Sequence, residues 1–284
     1  MGRDLTRCEI AERSIIKKYR EEIWHPFIDA VTRYELIQSG DRIAVCMSGG
    51  KDSFLLAKLM QEIERHGRVP FTNTFLVMDP GYAPANRALI EENARLLEIP
   101  VQIFTSNIFN VAYQQDHSPC YLCAKMRRGW LYHKAQELGC NKIALGHHFD
   151  DVIETTLMSM FYSSEIRAML PKLHSANFPG MELIRPMYRI REQDVLAWKR
   201  YNDLTFLACA CRFTEESHVG QPGGARRQRI KRLIREMKSE TPDLDQSLFN
   251  SIHKVCLDTM PGWKAGGQIH SFLENYDSSK EEEQ

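Results

Sequence analysis

Short apolar runs alternate along the chain with stretches whose apolar residues recur every three to four positions. RIAVCM at 42–47, NTFLVM at 73–78, VQIF at 101–104 and KIALG at 142–146 have the length and apolar continuity of buried strands. Helical spacing is found over Ser53–Arg65, Pro84–Leu97, Lys125–Leu138 and Asp150–Tyr162, and again over Glu192–Tyr201 and Ala225–Lys238, with Gly67 and Gly139 as helix stops. This alternation predicts an α/β fold, a doubly wound and mostly parallel sheet, with helical additions at the N- and C-termini. The expected divisions are a helical extension over 1–38, the α/β body over 39–215, and a helical, basic region over 216–284 with an acidic and disordered tail. No internal repeat interrupts this order. In such a sheet a ligand lies beyond the carboxyl ends of the strands.

Composition excludes the unusual classes. Of the 284 residues, 43% are hydrophobic and 26% charged, as in an ordinary soluble protein, and no apolar run approaches the ~20 residues that span a bilayer. The first twenty residues, MGRDLTRCEIAERSIIKKYR, are charged throughout and lack the apolar core of a secretory signal, which points to the cytoplasm and away from any membrane. In that reducing setting the 8 cysteines suggest metal binding or ordinary burial before disulfides. Cys8, Cys46, Cys140 and Cys256 are isolated, as expected of small buried or surface residues. The net charge of zero hides an asymmetry: from Arg185 to Lys238, 13 Lys or Arg face 6 Asp or Glu, a local net of +7. A polyanion would suit that segment, and so would a solvated helix face.

Three stretches carry chemistry. SGGKDS at 48–53 links the strand ending at Met47 to an amphipathic helix opened by Phe54 and Leu55, so the loop amides sit at a helix N-terminus and form an anion site. Gly49 and Gly50 let backbone approach the anion, Ser48 and Ser53 add hydroxyl donors, Lys51 adds charge, and Asp52 can help to hold Mg²⁺ against phosphate. Neither GxxxxGK[ST] nor GxGxxG is present. In SPCYLCAKMRRGWLY, Cys120 and Cys123 form a CxxC with metal-ligand spacing, which also occurs as plain structure, and Arg127 and Arg128 follow one helical turn later. In ALGHHFDDVIETTLMSMFY, His147, His148, Asp150 and Asp151 follow another strand, on the rim that carries the glycine loop; a helix cap with surface histidines is the plainer alternative.

The hexapeptide SGGKDS resembles the SGGxDS signature of the PP-loop ATP pyrophosphatases, which bind ATP and release pyrophosphate while adenylating a substrate. The resemblance implies that Ser48, Gly49, Gly50, Lys51, Asp52 and Ser53 grip the pyrophosphate portion of ATP, with Asp79, Gly146 and His147 completing the nucleotide site. Lys51, Asp52 and Asp151 are the candidates for the chemistry, Asp52 or Asp151 lying near Mg²⁺. Adenylation turns a carbonyl oxygen, a poor leaving group, into one that departs with AMP, and Mg²⁺ offsets the charge on the leaving pyrophosphate.

Taken together, SGGKDS, the CxxC with RRGWLY, KIALGHHFDD and MFY are similar to the tRNA 2-thiocytidine synthetase family, over about Tyr34 to Ile234. That resemblance implies sulfur transfer to a cytidine of the tRNA anticodon loop and a [4Fe-4S] cluster on three cysteines. Two would be Cys120 and Cys123; the third would come from FLACACRFTEESHVGQPGGARRQRIK, where Cys211 is preferred to Cys209 because the family's second cysteine there is the ligand. This chain has CxC where the family has CxxC. Three thiolates leave one iron open to hold sulfide, whereas a zinc ion on all four cysteines would be closed and structural. Arg127 and Arg128, with Arg226, Arg227, Arg229, Lys231 and Arg232, would track tRNA phosphates. Trp130, Tyr132 and Phe161 could stack on a splayed base, though their helical spacing points to the core. The implied partners are tRNA and a sulfur donor, either a cysteine desulfurase or sulfide, with a possible homodimer. A PP-loop ligase that delivers an amine, as lysidine synthetases do, and an iron-sulfur redox sensor that binds RNA are the other readings.

Overall fold

The computed structural model of the protein describes residues 4–106, 119–207, 222–274 and 276, with 119–125 and 222–224 described by their backbone. Strands β1 (Arg42–Met47), β2 (Thr72–Asp79), β3 (Val101–Thr105), β4 (Lys142–Ala144), β5 (Lys172–His174) and β6 (Glu182–Ile184) form one sheet in the order β3-β2-β1-β4-β6-β5. Every neighbouring pair is parallel except β5 with β6. The doubly wound, mostly parallel sheet expected from the sequence is present, and its first four strands are the four apolar runs. Strands β5 and β6 have three residues each, too few to show a period.

Helices α1 (Arg7–Arg13), α2 (His25–Arg33), α3 (Lys51–His66), α4 (Pro84–Leu96), α5 (Pro119–Glu137), α6 (Phe149–Ser163), α7 (Glu192–Tyr201), α8 (Pro222–Glu240) and α9 (Leu244–His253) complete the described regular structure outside short turns and a hairpin. Thr6 opens α1 with a capping box: the Glu9 N–H donates to Thr6 Oγ1 at 3.1 Å and the Thr6 N–H to Glu9 Oε2 at 2.7 Å. Between α1 and α2 the helix widens, so that the Tyr19 N–H reaches the Ser14 carbonyl at 2.8 Å and the Trp24 N–H the Tyr19 carbonyl at 3.3 Å. Helix α5 starts six residues before the expected Lys125, because Pro119 presets the helical φ of the first position. The CxxC therefore lies inside the helix.

Strand β1 shows why there are two cores. Ile43, Val45 and Met47 share one core with Phe54, Leu55 and Leu59 of α3, Val195 and Trp198 of α7, and Ala11, Ile15, Ile23 and Phe27 of the N-terminal helices. Ala44 and Cys46 share the other with Tyr132 and Ala135 of α5, Cys140, Ile143 and Leu183. Phe206 stacks between Phe54 and Trp198, with ring centroids 4.9 and 6.3 Å away. Residues 1–38, expected as an extension, thus supply side chains to the core of the sheet.

A second compact unit spans 233–284. Expected to be helical, it contains α9 and also an antiparallel hairpin of β7 (Gly262–Ala265) and β8 (Gln268–Ser271). Lys238 is paired with Asp245 at 2.6 Å, and the Trp263 ring stacks on His270 at 5.4 Å. The acidic tail lies outside the described residues. Among the described residues no helix is long and apolar enough to cross a membrane.

One charge sits in the core of the sheet unit. Lys58 is fully buried, and its Nζ donates to Glu12 Oε1 at 2.6 Å, Gln61 Oε1 at 2.8 Å and the Leu97 carbonyl at 2.9 Å. Burial opposes ionisation of Glu12, but Lys58 and Arg65 hold its carboxyl below the usual range. Removing one member of such a pair strands the other, so Glu12→Ala is expected to cost about 3–5 kcal/mol in urea unfolding. The double change Glu12→Leu with Lys58→Met should cost far less. Equal losses would show that packing and not charge pairing dominates there.

Candidate active site

The strand order reverses between β1 and β4, and the loops after these two strands flank that point. The first is Ser48-Gly49-Gly50, leading into α3. Gly49 has φ +87°, and a β-carbon there would lie 2.8 Å from Ile90 and 2.9 Å from Leu207, so only glycine fits. Its carbonyl accepts from the Leu207 N–H at 3.2 Å. Gly50 precedes Lys51 in extended conformation, and no side chain caps the helix. The first N–H groups of α3 are thus left without a side-chain partner at the strand end, an arrangement that suits an anion. Ser53 Oγ donates to the Gly50 carbonyl at 2.8 Å, which closes the turn.

Gly146, after β4, packs against this turn: a β-carbon on it would come within 3.2 Å of the Asp52 backbone carbonyl. His147, His148, Asp150 and Asp151 follow at the start of α6. His148 Nε2 lies 3.8 Å from Asp52 Oδ1 and 3.6 Å from Asp151 Oδ2, so the two carboxylates converge on one ring nitrogen. Burial pushes the His147 imidazolium pKa down to about 4, with Arg185 adding to the effect against Asp151, and the ring is neutral at neutral pH. Burial also opposes the charge on Asp151, but His148, His147 and Arg227 hold its carboxyl below the usual range. Asp79, at the end of β2, accepts from the N–H groups of Gly81 at 2.9 Å and Tyr82 at 2.7 Å and from Arg87 at 2.9 Å. Its carboxylate braces the next loop, from which Tyr82 OH reaches the Ser48 carbonyl at 3.4 Å.

Lys51 donates to Asp52 at 3.1 Å and to Glu192 Oε1 at 3.1 Å. Glu192 begins α7; its own N–H donates to Asp150 Oδ2 at 2.6 Å, and its Oε2 accepts from Lys231 Nζ at 2.8 Å. Burial opposes its charge, yet Lys231 and Lys51 bring the Glu192 pKa down to about 2. Arg227 lies 3.6 Å from Asp151 and 3.3 Å from Glu154, and Lys231 lies 3.5 Å from Glu154. These distances exceed good hydrogen bonds, and burial pushes the Glu154 pKa up to about 7 despite the two cations. Sequence reasoning placed Arg227 and Lys231 with Arg226, Arg229 and Arg232 on a tRNA track. The structure separates them: Arg227 and Lys231 are half-buried against these carboxylates, whereas Arg226, Arg229 and Arg232 are exposed. Glu192 carried no motif that marked it, and Glu154 and Arg185 were not singled out as site residues although they lie in stretches that carry the resemblance.

A cleft of about 260 Å³ joins the glycine loop to α5 and is lined by Cys46, Met47, Ser48, Met78, Arg127, Arg128, Leu131, Ile143, Leu145 and His147. Cys120 and Cys123, three positions apart, fall on one side of the first turn of α5, and Arg127 follows Cys123 by four. Cys209 and Cys211 lie outside the described residues. Of the aromatics expected in the core, Tyr132 is buried against Phe178, with centroids 4.9 Å apart, but Trp130 and Phe161 are exposed at 43% and 54%. Arg226 covers the Tyr162 ring at 4.9 Å, next to Phe161. Cys8, Cys46 and Cys140 are buried and Cys256 is exposed.

The arrangement suits a polyphosphate with Mg²⁺. Magnesium is commonly held by one or two carboxylates and the phosphates themselves. Asp52 Oδ1 is buried without a hydrogen-bond partner among the described residues, and Asp151 approaches the same His148 nitrogen as it does. Among the described residues no three His, Cys, Asp or Glu are grouped to hold a metal unaided.

The PP-loop domain family matches residues 19–211. The tRNA-cytidine(32) 2-sulfurtransferase of Syntrophotalea carbinolica is 36% identical over 229 residues, 80% of this chain and 86% of that one. Its namesake from Coxiella burnetii is 33% identical over 246 residues, 84% of this chain and 91% of that one. Among solved structures, the U34-tRNA thiolase NcsA from Methanococcus maripaludis with its [4Fe-4S] cluster has a TM-score of 0.65 at 17% identity, over 85% of this chain and 80% of that one, a likeness of fold. The glycine loop at the strand reversal and these relatives along most of the chain lead to one placement: the protein belongs to the PP-loop family and, within it, to the tRNA-cytidine 2-sulfurtransferases.

Proposed function

We propose that the protein is an ATP-dependent tRNA thiolase that adenylates the C2 oxygen of a cytidine in the anticodon loop and exchanges that oxygen for sulfur. The curated relatives' name supports cytidine 32 as the base. The observation that carries the reading is the cleft: one wall is Ser48 of the glycine loop, and the other is the helix that carries Cys120 and Cys123 and presents Arg127 and Arg128. A nucleotide at the loop and a base activated by it would thus lie beside the cysteine helix.

In this reading the uncapped amides of α3 and Lys51 bind the pyrophosphate, and Asp52 and Asp151 bear on Mg²⁺. Neutral His147 faces the cleft without placing a second positive charge beside Arg127 and Arg128. Cys120, Cys123 and Cys211, with Cys209 as the alternate, would hold the [4Fe-4S] cluster; three soft thiolates fit an iron cubane. Bound there, the cluster supplies a sulfur nucleophile from its open iron. The exposed face of α8, with Arg226 over Tyr162 and Arg229 on the same helix, takes tRNA phosphates and a loop base. A cysteine desulfurase or free sulfide provides the sulfur.

Nucleoside mass spectrometry of tRNA from a deletion strain should show loss of 2-thiocytidine, restored by the gene. Anaerobically purified protein should be brown, hold about four iron atoms per chain, and lose colour and thiolation in air. Cys211→Ala should lose the cluster and Cys209→Ala keep it; the reverse exchanges the two assignments. A colourless protein whose single zinc needs all four cysteines would sink the thiolation reading in favour of an amine-delivering ligase.

Lys51→Ala and Asp52→Ala should each lower pyrophosphate release by roughly 10²–10³-fold while near-ultraviolet circular dichroism stays native, since both side chains face ligand and not core. Normal release by both variants would remove the loop from the mechanism. Arg226→Ala and Arg229→Ala should weaken tRNA binding and flatten its dependence on log salt by about 0.7–0.9 per lost phosphate contact. An unchanged slope would assign that face to solvent.

A further inference from the structure

One carboxylate fills the space between two ammonium groups at the mouth of the glycine loop. Glu192 accepts from Lys51 at 3.1 Å on one oxygen and from Lys231 at 2.8 Å on the other. Its backbone is fixed by the 2.6 Å bond from its N–H to Asp150. The three side chains remain 20%, 27% and 30% exposed for Lys51, Glu192 and Lys231, so a ligand can reach them from solvent. Lys51 belongs to the amino end of α3, which no side chain caps.

The chemistry of this arrangement is that of a phosphate site holding a substitute. A carboxylate presents two anionic oxygens to two cations, as a phosphoryl group would, but with less charge and fewer acceptors. An arriving polyphosphate can take both ammonium groups, and Glu192 can turn outward because its main chain stays anchored on Asp150. Glu154, 3.5 Å from Lys231, retains Arg227 at 3.3 Å when Lys231 moves. Lys231 also differs from the exposed arginines of α8 in facing inward, four positions after Arg227 and on the same side of the helix.

We propose that Lys231 is a second polyphosphate-binding cation of the nucleotide site, paired with Lys51, and that Glu192 occupies the phosphate position between them until nucleotide binds. The inference rests on the reading of the loop as an ATP site and deepens it. It assigns one lysine of the basic segment to ATP and not to RNA.

Calorimetric titration of the full chain with pyrophosphate, and with ATP and magnesium, tests this, beside the salt dependence of tRNA binding. Lys231→Met should weaken pyrophosphate binding about tenfold, the scale of one charge-assisted hydrogen bond, and Lys231→Arg should recover most of it. Glu192→Gln should tighten pyrophosphate binding, because the competing anion is gone. The tRNA salt slope of Lys231→Met should match that of the unmodified chain. If the pair is only a strut, both changes weaken binding or neither alters it, and the proposal falls. It falls equally if Lys231→Met leaves pyrophosphate binding intact while the tRNA slope drops, which would return Lys231 to the RNA. Absence of pyrophosphate binding by the unmodified chain would sink the ATP reading itself, and this proposal with it. Thermal unfolding of each variant, with a midpoint near that of the unmodified chain, excludes global disruption as the cause.

Discussion

Two lengths of backbone meet at the strand reversal with no room for side chains between them. Gly49 sits where Ile90 and Leu207 would collide with any β-carbon, and Gly146 lies against the carbonyl of Asp52. The first contact holds the loop in a left-handed conformation, and the second presses the end of β4 onto the first turn of α3. The rest of the site follows from that closeness. With the two strand ends in contact, the carboxylates after β4 come under the first turn of α3, and His148 falls between Asp52 and Asp151. A larger residue at either glycine would part the loops and separate the charges that make the rim useful.

What the sequence revealed was local. The glycine loop is legible because strand exit, turn and helix entry fall within a dozen residues, and because lysine and aspartate have no structural reason to be in such a turn. The four apolar runs were legible because each is continuous in sequence. Glu192 was not, since its partner Lys51 is 141 positions away and nothing near Glu192 differs from an ordinary acidic helix start. The inward and outward cations of α8 were equally indistinguishable in a run of basic residues; only the partner carboxylates separate them. The hairpin of the second unit had its signal in Gly266-Gly267 between two short runs, but four-residue strands at the surface have little hydrophobic alternation to display.

Helix α8 acquires a physical interpretation from its two faces. Lys and Arg repeat along it around a narrow apolar stripe in which Ile230 and Ile234 are buried. Arg227 and Lys231, four apart, meet Asp151, Glu154 and Glu192, and the neighbouring Arg226 and Arg229 look outward, Arg226 over an aromatic ring. The inward cations face the glycine loop and the outward ones face solvent, so the two sets are separated by a single helix diameter, about 10–12 Å.

The N-terminal segment shows that similarity and energy draw different borders. Similarity to the PP-loop domain begins at residue 19, yet Glu12 of α1 supplies the counter-charge for Lys58, and Ala11 and Ile15 fill the core beneath β1. A chain shortened to begin at residue 19 would keep every residue of the rim and lose the neutralisation of an ammonium group buried beneath it. The helix that carries Lys58 is the one entered from the glycine loop, with no side chain capping its amino end. The foundation of that helix therefore lies partly outside the segment matched to the PP-loop domain, and the counter-charge for Lys58 comes from before residue 19.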